Sequence, residues 1–194
     1  MIEYLRLAFG TIVVLLPGAL VARAIGHRSM SATLAWGFAT IFVAWTAVFT
    51  LHRSIHLAFL VLVLVALGAL VAIWRRRSYA VSHGFVWLVG VVLGWFLWHV
   101  EGVVTGDGLF HEARVRKLVD LTSLHLRTVD EFKDGGLHPG YAFPLWHGFL
   151  ALVSWVSGVD AGGVVRHEPS LLAPVACLVA WEAGRAVFGS RWGG

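Results

Sequence analysis

Charge is what this chain has least of. Only 13% of its 194 residues are Asp, Glu, Lys or Arg, about half the share of an ordinary soluble domain, which is too little to cover a water-facing globular surface. Cysteine is almost absent as well. The one thiol, Cys177, has no partner for an internal disulfide, which excludes a disulfide-stapled secreted scaffold; inside an apolar run it reads as a small core residue. Acidic residues are missing from most of the chain: of the eleven, seven lie between Glu101 and Asp134. The arginines elsewhere therefore report orientation in a membrane, and no nucleic-acid partner is expected.

Apolar sequence takes the place of charge, with 58% of residues hydrophobic. Leu7 to Ala22, Ser29 to His52, Ser54 to Trp74, Ser78 to Val100 and Pro169 to Trp181 contain no charged residue. A hydrocarbon core about 30 Å thick takes about 20 such residues in a helix. The first run reaches that length with Leu5, Arg6 and Arg23 at its ends, where arginine can snorkel, and the last by extending over Glu182 and Arg185. The expected fold is an all-α integral membrane protein with about five transmembrane helices and an extracytoplasmic loop carrying juxtamembrane helices. Glu3 spoils a positive leader region, so the first helix reads as retained despite the small-x-small pattern Ala22-Arg23-Ala24.

Arg23 and Arg28 separate the first two helices, and Arg75-Arg76-Arg77 the third from the fourth. The positive-inside rule puts both groups in the cytoplasm and the N-terminus outside. The loop over 101–140 is then extracytoplasmic, and its five basic against seven acidic residues suit that side. The chain divides into an N-terminal three-helix segment over 1–80 and a second part over 81–194. The second part holds a helix over 83–100, the loop, an apolar segment over 141–158 and a helix over 169–188. The segment over 141–158 is long enough to span. Placing it on the outer surface as a juxtamembrane helix instead delivers Arg185 and Arg191 to the cytoplasm, which the charge rule favours. The ending Arg191-Trp192-Gly193-Gly194 directly after a helix reads as a fragment of a longer polytopic protein.

Any chemistry belongs to the loop. From Leu109 its composition favours a helix on which Asp107, His111, Arg114 and Leu118 share one face, while Glu112 and Arg116 form an i, i+4 pair on another. Asp107, between two glycines, reads either as a helix N-cap or as a carboxylate serving as general base or metal ligand. Arg114, Arg116 and Lys117 read as a solvated face or as a grip for phosphate. Asp130, Glu131 and His138 have loop solubility as their plainer role.

The order of these pieces resembles the GT-C type of polytopic glycosyltransferases, which include protein O-mannosyltransferases and lipid A aminoarabinose transferases. The pieces are Gly106-Asp107, the basic helix His111 to Leu118, the proline-containing stretch Pro139 to Leu145, and a helix from Pro169 ending Ala183-Gly184-Arg185-Ala186-Val187-Phe188-Gly189. The resemblance covers roughly 85–194. It departs from the family in having a single acidic residue at the loop start and three hydrophobic segments before it, which leaves sugar and acceptor open. It implies a cell-membrane enzyme moving a sugar from a polyprenyl-phosphate carrier to an extracytoplasmic acceptor in the cell envelope. Asp107 would be catalytic. His111, Glu112, Arg114, Arg116, Lys117 and His138 would bind substrate, membrane lipids would be partners, and a divalent cation beside Asp107 is the one cofactor the resemblance leaves room for. The alternative is a non-catalytic polytopic protein, a scaffold or transporter subunit. A transporter would want ionisable residues within its spans, and the sequence offers only His99 and the Glu182–Arg185 pair.

Overall fold

The computed structural model describes residues 2–74, 83–100, 102–132, 134–137 and 143–189. Apolar runs become helices because a helix pairs its backbone groups internally, and hydrocarbon offers them no other partner. The helices are α1 (Ile2–Ala24), α2 (Met30–Leu51), α3 (Ile55–Trp74), α4 (Gly84–Val100), α5 (Asp107–Asp120), α6 (Leu126–Asp130), α7 (Leu145–Ser157) and α8 (Ala161–Phe188). Glu131 and Leu137 form one isolated bridge, and no strand occurs among the described residues. Four helices, α1, α2, α3 and α8, are long and apolar enough to cross a membrane. The 17 residues of α4 reach about 26 Å, a few ångströms short of a typical hydrocarbon core. The chain is an all-α, multi-pass membrane protein.

Small residues set the helix pairing. A Cβ on Gly18 of α1 would lie 2.1 Å from the backbone nitrogen of Gly37 in α2, so these antiparallel helices touch backbone to backbone, as small residues permit in membranes. Gly90 of α4 meets Pro174 of α8 in the same way, where an added Cβ would come within 2.4 Å of the proline Cα. The contacts Gly90–Pro174 and Gly94–Ser170 run in opposite order along the two chains, so α8 returns antiparallel to α4. A tight turn at His52 (φ 51°) reverses α2 into α3. One end of the bundle thus gathers the start of α1, the α2–α3 turn, the end of α4, the loop and the start of α8; this is the loop end. The other gathers Arg23, Arg28 and Arg185, and is the arginine end.

Two expectations change. The last helix begins at Ala161 rather than Pro169. Asp160 caps it by accepting from the Gly162 amide at 2.9 Å, and Pro169 and Pro174 lie inside it. The charge-free run marked the wrong start because Glu168, the acid directly before it, is buried inside the bundle. The apolar segment before it forms a helix of only 13 residues, about 20 Å long and too short to span. It does not lie open on a surface either. Every residue from His147 to Ser154 is buried, because α7 is wedged among α1, α2 and α5. Trp45 lies against Gly148, Phe38 against Trp146 and Phe149, and Phe42 and Phe49 against Phe143. Arg6 of α1 secures the far end, donating to the carbonyls of Ser157 at 2.9 Å and Gly158 at 2.6 Å, where a cation suits the helix C-terminus.

Candidate functional site

The loop rests on this frame. Ser123 Oγ donates to the His52 carbonyl at 3.0 Å and the Leu124 amide to that of Arg53 at 3.3 Å, so the α5–α6 connection sits on the α2–α3 turn. Below it, Val115, Leu118, Leu124 and Val129 join the buried core of α7. The face of α5 read from the sequence is therefore the face that docks: Arg114 and Leu118 are buried and His111 is half-buried.

Asp107 is the first residue of α5, and the cap position before it belongs to Gly106, with no side-chain cap bond. Its carboxylate is instead turned to His111 four residues on, with Oδ2 3.3 Å from Nε2. His111 Nδ1 lies 2.8 Å from Nε2 of His147 on α7, and the two rings stack at 5.0 Å. The result is a line Asp107–His111–His147 running from solvent into the bundle. Its outer member is 80% exposed and its inner member is buried. Burial, then the Arg114 guanidinium, then His111, push His147 down to about 3, so the ring is neutral at ordinary pH. One arrangement with both histidines neutral and the carboxylate ionised has His147 Nε2–H donating to His111 Nδ1, and His111 Nε2–H donating to Asp107. One carboxylate oxygen is then held and the other faces out.

The basic residues are engaged within the protein. Arg114 pairs with Asp130 in a buried contact and lies over the Phe110 ring at 5.4 Å. Lys117 Nζ donates to the carbonyls of Thr128, at 3.1 Å, and Glu131, tying α6 to α5. Arg116 reaches Glu112 at 2.8 Å and Asp160 at 3.1 Å, but it is 51% exposed. His138 lies outside the described residues. Beside the histidine line, Phe110, Ala113, Arg114, Lys117, Thr128 and Phe132 border a recess of about 460 Å³.

A divalent cation would need converging ligands. Among the described residues no group of three His, Cys, Asp or Glu side chains is placed to hold one. Both nitrogens of His111 face other side chains, and Asp107 offers one open oxygen. That set does not fit a protein-held cation.

Two site residues escaped the sequence reading. For His147 the only signal was an imidazole in an otherwise apolar helix. For Glu168 it was an acid next to an apolar run. Glu168 is fully buried between α8 and α1, with Oε1 2.7 Å from Thr11 Oγ1 and no hydrogen-bond partner for Oε2 among the described residues. Thr11 Oγ1 also lies 2.9 Å from the Leu7 carbonyl. A hydroxyl has one hydrogen to give, so both contacts are satisfied when the carboxyl carries the second. The spans therefore hold more ionisable chemistry than the sequence suggested. The sequence matches no family model, and no curated protein or solved structure matches it either.

Proposed function

We propose that this protein is a cell-membrane glycosyltransferase that moves a sugar from a polyprenyl-phosphate carrier to an acceptor outside the cytoplasm, with Asp107 as the general base. The observation that carries the reading is the exposed Asp107 carboxylate, oriented through one oxygen by a histidine that is itself held by a buried, neutral histidine. A base must present an acceptor oxygen in fixed geometry to the hydroxyl it deprotonates. His147 resists protonation and so acts as a positioning residue.

The recess beside the line is in the range of about 300–1,000 Å³ usual for small-molecule sites, and Phe110 and Phe132 give it apolar ring faces. Of the three basic residues of α5, Arg114 is buried and Lys117 half-buried, which leaves Arg116 to meet a carrier phosphate. In this reading the loop end is extracytoplasmic, as the arginine distribution supports. The test is transfer from a panel of polyprenyl-phosphate sugars in membranes containing the full chain. Asp107→Asn should abolish transfer while leaving insertion intact. Retained activity removes Asp107 from the mechanism, and no transfer from any donor removes the transferase reading.

Glu168 favours a second reading, transport, since ionisable groups buried within spans commonly mark ion or proton paths. Proton uptake by proteoliposomes that is lost in Glu168→Gln would support it; its absence from the unsubstituted protein would end it.

A further inference from the structure

A cavity opens at the arginine end, away from the histidine line. It measures about 730 Å³ and is bordered by Arg23 from the end of α1, Arg28 from the α1–α2 turn and Arg185 from the last turn of α8. One carboxylate, Glu182, shares the cavity, yet it does not neutralise them. Its Oε1 accepts from the Met30 amide at 2.6 Å, and its Oε2 accepts from the Ser31 amide at 2.7 Å and the Ser31 hydroxyl at 2.5 Å. The acid is used up satisfying the first turn of α2, where negative charge is favoured. Arg23, Arg28 and Arg185 are exposed, and none has a carboxylate or carbonyl partner among the described residues. Arg185 lies over the Trp181 ring at 4.8 Å, which steadies its guanidinium plane.

The walls are of two kinds. Toward the helix ends they are cationic; further along the helices they are apolar, formed by Ala19, Trp87 and Leu178. A bare anion would use only the first kind. A phosphate with hydrocarbon attached would use both, and the cavity lies where spanning helices end and lipid phosphates are concentrated. We propose that this cavity binds the phosphate headgroup of an anionic membrane lipid, with the three guanidinium groups on its oxygens and the lipid's apolar part along Ala19, Trp87 and Leu178. Arginine suits the role because its planar fork can donate two parallel hydrogen bonds to a phosphate.

The test is native mass spectrometry of the full chain released from detergent after incubation with phosphatidic acid, with phosphatidylcholine, or with inorganic phosphate competing against either. Phosphatidic acid should be retained about tenfold over phosphatidylcholine. The triple variant Arg23→Gln, Arg28→Gln, Arg185→Gln should bring retention down to the phosphatidylcholine level. Because the three side chains are exposed, their removal takes little packing with it beyond the contact of Arg185 with Trp181. A second triple variant with Lys at these positions keeps the positive charge that sets insertion but loses the fork, and should also bind several-fold more weakly. Equal retention of the two lipids, unchanged binding in the Gln variant, or full binding in the Lys variant overturns the proposal. Displacement of phosphatidic acid by inorganic phosphate at equal concentration overturns it too, by assigning the cavity to a free anion.

Discussion

At the loop end of the bundle Arg6, Arg114, Arg116 and Lys117 each have an acceptor within the protein. At the opposite end Arg23, Arg28 and Arg185 have none among the described residues, and the one nearby acid is held by backbone amides. In sequence the first group lies mostly within the acidic loop and the second flanks apolar runs, and neither pattern tells which cations are paired. The difference lies in what each cation would face without a partner. Arg114 is buried, and an unpaired buried charge costs several kcal/mol, so the loop must supply Asp130. The arginines at the other end reach water or headgroups, where an unpaired charge costs little. Arg6, Arg114, Arg116 and Lys117 thus help hold the fold together, while Arg23, Arg28 and Arg185 stay free to meet a ligand, as do the exposed Arg53 and Arg127 at the loop end.

That contrast can be broken most directly by removing one cation from each end. Arg114→Ala leaves Asp130 without its cation and should destabilise the protein by roughly 3–5 kcal/mol. Arg185→Gln should change stability by no more than about 0.5 kcal/mol. Thermal melting of both variants in the same detergent checks this, and similar losses would erase the distinction. A separate effect should come from acid. His147 takes a proton near 6.5 when unfolded but only near 3 when folded. Between those values the unfolded state binds more protons, so stability should fall as pH drops below about 6.5 and level off near 3. His147→Gln should flatten that part of the melting-against-pH curve, while removal of the arginine-end cations should leave it unchanged.

Composition alone determined that the chain is helical and membrane-embedded, because hydrocarbon demands internally paired backbone over long uncharged runs. Helical spacing was likewise enough to put Asp107, His111, Arg114 and Leu118 on one face of α5. The rest depended on contacts between residues far apart in the chain. His147 is 36 residues from His111, and no local pattern could show that the two rings meet. Glu168 gained its meaning from Thr11, 157 residues away, and the start of α8 at Ala161 was hidden because Glu168 interrupts the apolar run. Spacing alone could not distinguish Arg114, sealed under the loop, from Arg185, facing an open cavity. Burial decides whether a charge needs a partner, and burial is set only when the helices pack.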